Sequence, residues 1–306
     1  MDFKSGSITI VYTNLMKKQI LYLIVLMWVF PSIAQDDIPL DTTLNGNSEN
    51  IVDKTFPAIQ IFNHPTTDAL PRGEMKLYLG HRMGEIGTGI DGLFGLYTAN
   101  SRFGADVGLL NNVTVGIGST SQQQLFDGYA KWLIIKQGWK KMPVSIAVFS
   151  DATIATGDLG YPSDAKIETW QRLSYTTEIM FSRKFCDRFS AQLMASYVHR
   201  NMTSTINDKN EVFAAGVAAN IKITNVWNIA AEYSYVPKGQ VDLEGFRSSQ
   251  LSVGVQIHTG PRHVFQLFFS NSGGINENTV LTQSTGGKGL KHLRLCFNIP
   301  TTFKIF

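Results

Sequence analysis

The chain of 306 residues carries a net charge of +3, with 43% hydrophobic, 11% aromatic and only 17% charged residues and with 27 glycines. That length is ample for one large domain, and much Gly and aromatic content with little charge suits many strands and turns better than long helices. The small net charge, without any Lys/Arg-rich tract, excludes nucleic acid as a partner.

Lys17 and Lys18 form a basic n-region, Ile20 to Phe30 an apolar h-region, and Ser32-Ile33-Ala34 a cleavage site. These are the parts of a signal peptide over residues 1–34, with the true start at Met16 and Gln35 as the first mature residue. The apolar core is short for a membrane anchor, and no later stretch approaches the ~20 apolar residues of a spanning helix. Residues 35–73 read as a periplasmic N-terminal lead. Its first part is polar and aperiodic, with Asp36, Asp37 and Asp41 solvated, and residues 56–73 run extended into the first strand.

From residue 74 the chain alternates with period two, the mark of strands with one apolar and one polar or small face. The apolar faces run through Met75–Leu79, Phe103–Leu109, Val113–Ile117, Ala130–Ile134, Val144–Val148 and Leu173–Phe181. They continue through Phe189–Tyr197, Phe213–Ile221, Trp227–Tyr235, Leu251–Ile257, Phe265–Phe269 and Leu293–Ile299. These are twelve segments, each near the ~9–11 residues of a tilted membrane strand.

A soluble sandwich alternates too, so two further features decide. Short connections near 110–112, 136–143, 184–187, 223–226 and 259–262 take turns with longer ones near 84–97, 119–125, 151–171, 200–210, 236–249 and 271–289. That is the pattern of short periplasmic turns and longer extracellular loops. Charge also keeps to one parity. Glu74, Lys76, Arg82, Arg102, Asp106, Lys131, Glu178, Lys222, Glu232 and Arg294 share the face of the small residues. A charge facing lipid at mid-depth costs ~2–4 kcal/mol, so these ten are the lumen-facing candidates. The fold expected is all-β: a single antiparallel up-and-down transmembrane β-barrel of about 12 strands over residues 74–306, in the bacterial outer membrane.

Two stretches carry a resemblance: Asn63-His64-Pro65 with Leu70-Pro71-Arg72-Gly73, and His81-Arg82-Met83-Gly84. Leu93-Phe94-Gly95-Leu96, Val113 to Gly118 and Phe126-Asp127-Gly128-Tyr129-Ala130-Lys131 extend it. Together they resemble an uncharacterised Bacteroidota-type outer-membrane β-barrel family, a domain of unknown function. The resemblance implies a barrel and an outer-membrane address, and no activity.

Chemistry-bearing motifs are sparse. There is no His-x-x-x-His, Cys-x-x-Cys or EF-hand loop, so no metal or other cofactor is expected. Cys186 and Cys296 are far apart and read as isolated thiols. Gly286-Gly287-Lys288-Gly289 lacks the strand and Ser/Thr of a phosphate loop. His81 has lipid-facing parity near the loop end of its strand. It reads as a girdle residue, or one turned inward by a bulge, ahead of an interfacial base. The Gly-rich loop 84–97 also holds Ile90, Leu93, Phe94 and Leu96, and is expected to form a constriction in the mouth, to pack on neighbouring loops, or to lie as a short helix over the rim.

Gly104, Gly108, Gly116, Gly118, Gly216 and Gly254 share the lumen face and could leave space for water, whereas paired charges could fill it. The first functional expectation is a narrow passive channel for small hydrophilic solutes. The alternatives are a closed structural or docking barrel with a periplasmic or surface partner, and an outer-membrane lipid-modifying enzyme; a non-enzyme is expected. Outer-membrane lipid is the common partner of all three.

Overall fold

The computed structural model describes residues 51–138, 141–158, 166–203, 207–241, 249–260, 263–283 and 289–305. The expected signal peptide, the lead up to residue 50 with Asp36, Asp37 and Asp41, and Gly286-Gly287-Lys288 lie outside the described residues.

Each alternating segment is a strand. In chain order they are β1 (Glu74–Glu85), β2 (Ala99–Leu110), β3 (Val113–Thr120), β4 (Leu125–Ile135), β5 (Ser145–Ala155) and β6 (Leu173–Cys186). Then come β7 (Phe189–Arg200), β8 (Glu211–Lys222), β9 (Trp227–Tyr235), β10 (Gln250–Gly260), β11 (His263–Ser270) and β12 (Arg294–Lys304). Every strand pairs antiparallel with its neighbours in sequence, and β1 pairs with β12, so the sheet closes on itself and leaves no edge.

The pleat turns the alternation into two surfaces. Phe103, Ile117, Leu193, Phe213 and Phe269 point outward and stay exposed, giving an apolar outer wall. Lys76, Asp106, Thr114, Gln192, Glu232 and Asn298 point inward and are buried. Among the described residues no helix is long and apolar enough to cross a membrane.

The start of β1 and the end of β12 lie at one end of the barrel, hereafter the terminal end, together with the β2–β3, β4–β5, β6–β7, β8–β9 and β10–β11 connections. The other connections lie at the loop end. The expected ordering of lengths fails at one place. Only Ser121–Gln124 separates β3 from β4 at the loop end, whereas 136–144 separates β4 from β5 at the terminal end. The ladder between β3 and β4 runs on to Thr120↔Leu125, and Gln123 and Gln124 turn the chain with positive φ of 58° and 46°.

The Gly-rich loop between β1 and β2 does not enter the mouth. It forms 3-10 turns at Ile86–Thr88 and Leu93–Gly95, with Ile90, Leu93, Phe94 and Leu96 exposed. The Ile86 N–H donates to the Leu293 carbonyl (2.8 Å), and Gly95, at φ 88°, packs against the Gly84 carbonyl where a Cβ would collide. Those ties hold the loop over the rim, so the constriction reading is corrected. The loop end is filled instead by helix α1 (Glu277–Thr282), whose residues are all buried. Asn276 caps it by accepting from the Thr279 N–H. Asn276 and Asn278 also donate to Thr153 and Ser174 in the wall.

Candidate functional site: a segment inside the lumen

Part of the expected lead is inside the barrel. Residues 55–70 occupy the lumen, where the sequence pattern leads to the expectation of an extended segment entering the first strand: Phe56, Ile61, Phe62, Asn63, His64, Thr66, Thr67 and Asp68 are all buried. The segment folds on itself as a narrow turn. Ile61 N–H donates to the His64 carbonyl and Thr66 N–H to the Ile59 carbonyl, both at 2.9 Å. At its base the Asp68 carboxylate accepts from the N–H groups of Thr55 and Phe56, tying entry to exit.

A backbone enclosed like this must have every donor and acceptor paired. The wall supplies the partners. Gln256 and Gln266 donate to the Ile61 carbonyl, Asn298 to that of Phe62 (2.8 Å), and Gln192 to that of Pro65 (2.8 Å). Lys131 Nζ donates to the carbonyls of Ile59 (3.1 Å) and Thr66 (3.0 Å). At the tip, the Glu232 carboxylate accepts from three successive N–H groups, those of Phe62, Asn63 and His64. Consecutive N–H groups in a turn make a concavity suited to an anion, and here the barrel wall provides the anion.

Side chains repeat the pattern. His64 lies between the wall strands, with Nδ1 3.1 Å from Glu178 Oε2 and Nε2 2.8 Å from Ser234 Oγ. Asn63 donates to Glu232 and to Ser252, and its Oδ1 accepts from Arg82 (Nη2, 2.9 Å). Phe62 stacks on Phe268 (4.4 Å between centroids), and the Arg82 guanidinium lies over the same ring. Phe56, Ile61 and Phe62 join Phe149, Met180, Met194 and Phe268 in an apolar cluster within the lumen.

The ten charged candidates divide three ways. Glu178, Glu232, Lys131 and Arg82 are buried and hold the segment. Lys76, Asp106 and Arg102 are buried and serve the wall. Lys76 pairs with Asp106 across β1 and β2 (2.5 Å), and Arg102 pairs with Asp127 rather than with another of the ten. The rest sit at strand ends. Glu74 and Arg294 are half-buried, the latter paired with Glu85 (3.2 Å), and Lys222 is exposed beside the 223–226 turn. Lys222 keeps the inward parity at the last residue of β8, paired with Asn228 of β9, and is exposed there.

The inward glycines do not hold water space open. Arg102 lies over Gly104 and Gly118, Tyr129 over Gly116, Met194 over Gly216 and Phe268 against Gly254, while the Leu70 and Pro71 carbonyls press on Gly108. Each glycine makes room for a neighbour's bulk.

His81 stays at regular register between Ser101 and Phe297, and the β1–β12 bulge begins only after Arg82, so no bulge turns it inward. Its Nδ1 is 2.8 Å from Ser101 Oγ and its ring stacks on Phe297. Among the described residues no carboxylate bonds to this pair to orient the imidazole, as an activated nucleophile would need. Cys186 is exposed and Cys296 buried, both as free thiols.

Sequence reasoning missed His64, Asn63 and Asp68 as buried anchors, and Asp127 as the partner of Arg102. A signal was present. Amide side chains recur on the inward face, at Gln192, Gln256, Gln266 and Asn298, and an amide both donates and accepts, which suits it to pairing with an enclosed backbone.

Residues 56–303 match the family model described as "Membrane bound beta barrel domain (DUF5777)". No curated protein matches the sequence. Among solved structures, the NanC porin aligns with a TM-score of 0.48 at 9% identity, over 75% of this chain and 99% of the porin. The KdgM porin aligns with a TM-score of 0.44 at 7% identity, over 76% and 99%. An outer membrane channel from Pseudomonas putida F1 aligns with a TM-score of 0.45 at 10% identity, over 78% and 98%.

Proposed function

The chain belongs to the membrane-bound β-barrel domain family, and from that premise we propose that it is a bacterial outer-membrane barrel shut by its own N-terminal segment, a docking barrel rather than an open pore. The observation that carries this is the occupation of the lumen. The segment is bonded to side chains of β1, β3, β4, β6, β7, β9, β10, β11 and β12, and Glu232 takes its tip. In this reading the terminal end faces the periplasm. The chain leaves the lumen there through residues 51–54, where Val52 N–H donates to the Gln137 carbonyl and Asp53 meets Lys136 at the surface. A periplasmic protein partner would reach the barrel through that exposed stretch.

Conductance in planar bilayers tests the proposal. The full-length folded protein is expected to be silent, and a form lacking residues 55–70 to conduct. Steady current through the full-length protein would overturn the closed reading.

One observation favours a second reading, the narrow channel for small hydrophilic solutes. The wall behind the segment is polar, with Gln192, Gln256, Gln266, Asn298, Glu178 and Glu232, so withdrawal of the segment would leave a hydrophilic bore. Brief, full-amplitude openings of the intact protein would mark this reading, and they would vanish if the segment were covalently tethered to the wall.

A further inference from the structure

The two ends of the barrel differ in charge. Among the described residues, the charged side chains that are not buried number nine Lys and Arg against three Asp and Glu at the terminal end, and six against five at the loop end. Two of the nine are spent on surface pairs, Lys136 with Asp53 (3.3 Å) and Lys184 with Asp187 (3.9 Å). The excess gathers where the β4–β5 connection meets the end of β6 and the β6–β7 turn. Lys141, Arg183 and Arg188 are all exposed there, and among the described residues none of these side chains makes an ion pair or hydrogen bond.

Arg183 departs from the parity that the other strand charges keep. It stands on the outward face of β6 between Phe181 and Phe185, opposite the small Ala191 of β7, and the β5 ladder reaches only Ser182, one residue short of it. Its guanidinium lies over the ring of Phe185, two residues nearer the turn, at 5.2 Å from the centroid, and Phe185 packs on Phe189 (5.4 Å). A long cationic side chain on a lipid-facing wall turns its head to the interface, where a charge costs only ~0–1 kcal/mol. The ring covers one face of the guanidinium and uses none of its N–H groups, so its donors stay available. The Lys184 N–H donates to Gln137 Oε1 (2.8 Å) and Gln137 Nε2 to the Lys184 carbonyl (3.0 Å). Those two bonds hold the connection that carries Lys141 against the end of β6.

We infer that this corner is a docking site for the headgroup of an anionic phospholipid in the leaflet around the terminal end, with Arg183 taking the phosphate and Lys141 and Arg188 supplying the surrounding positive field. A planar guanidinium with free N–H groups matches phosphate oxygens, and such charge-assisted bonds are among the strong ones. Each Lys or Arg near an anionic lipid surface contributes ~1 kcal/mol. Lipid is favoured over a soluble anion because Arg183 rises from the apolar wall. Phe181 and Phe185 flank it, both exposed, so a lipid whose phosphate meets Arg183 lays its chains along those rings. The site is on the outer face and does not depend on whether the lumen is shut.

Native mass spectrometry of the full-length folded protein tests this, from neutral-detergent micelles doped with equal amounts of phosphatidylglycerol and phosphatidylcholine. The protein is expected to retain phosphatidylglycerol in preference. Arg183→Gln, at an exposed position, is expected to cut that preference about fivefold. Arg188→Gln, in the turn and outside the ladder, is expected to cut it by a smaller factor. Lys238→Gln, exposed at the loop end, is expected to leave it unchanged. Equal retention of the two lipids, a preference untouched by Arg183→Gln, or one lowered as much by Lys238→Gln would overturn the proposal. So would displacement of the lipid by inorganic phosphate at constant ionic strength, which would assign the corner to a free anion. Lipid retention is blind to conductance, so failure here leaves the closed-barrel reading standing, and the reverse.

Discussion

Glu232 on β9 accepts both the backbone N–H (3.0 Å) and the side-chain amide (2.6 Å) of Asn63, joining the barrel wall to the tip of the segment that fills it. Removing the carboxylate leaves the N–H groups of Phe62, Asn63 and His64 enclosed without their acceptor. An unpaired buried donor costs ~1–3 kcal/mol. Glu232→Ala is therefore expected to loosen the segment by several such units while the wall ladder stays intact. Conductance should appear in planar bilayers, and urea unfolding from vesicles should shift to lower denaturant. Glu232→Gln keeps one acceptor oxygen and should fall between. A silent, fully stable Glu232→Ala protein would show that the tip is held by other contacts.

Gly118 and Arg102 give a second prediction. The guanidinium crosses directly over Gly118 to reach Asp127, leaving no room for a Cβ. Gly118→Ala should push Arg102 off its partner, and overpacking of this kind costs ~1–3 kcal/mol. Gly128, where nothing lies within 4 Å of an added Cβ, is the matched control, and Gly128→Ala should be neutral. Equal unfolding midpoints for the two variants would argue that the inward glycines are not there to admit neighbouring bulk.

The barrel was legible because membrane strands obey a strict rule. Outward positions such as Phe103, Ile117 and Leu193 had to be apolar, and period two then fixes which residues face in. Contents of the lumen follow no such rule. Thr55–Leu70 shows no periodicity, because its backbone is satisfied by side chains far off in sequence, such as Gln192 and Asn298. Glycines on the inner face look alike whether they border water or a guanidinium, and only the register, which sets Gly118 beside Arg102's reach, tells them apart. The tight Ser121–Gln124 turn was misread as a longer loop because the β3–β4 ladder persists to its last possible pair.

His81 and Ser101 form a cross-strand pair on the outer wall, 2.8 Å apart. With no carboxylate behind the imidazole among the described residues, the pair is expected to be a wall contact, and cross-strand pairs contribute roughly 0.2–1 kcal/mol. His81→Ala and Ser101→Ala should each lower stability by about that much, and neither they nor the parent protein should release fatty acid from phospholipid vesicles. Turnover by the parent that both substitutions abolish would restore the lipid-modifying reading.

The two thiols report orientation and occupancy together. Cys186 is exposed at the terminal end, and Cys296 is fully buried in the cluster that contains Phe62 and Phe268. If the terminal end is periplasmic, a maleimide too large to cross the outer membrane should leave Cys186 unlabelled on intact cells and label it once that membrane is permeabilised. Labelling on intact cells would invert the assigned orientation. Cys296 should resist even a small maleimide in the folded protein, since the segment covers it. In Glu232→Ala it should become reactive in step with the appearance of conductance, because both depend on the same withdrawal. Current without labelling would mean that ions pass by another route than the space Phe62 fills.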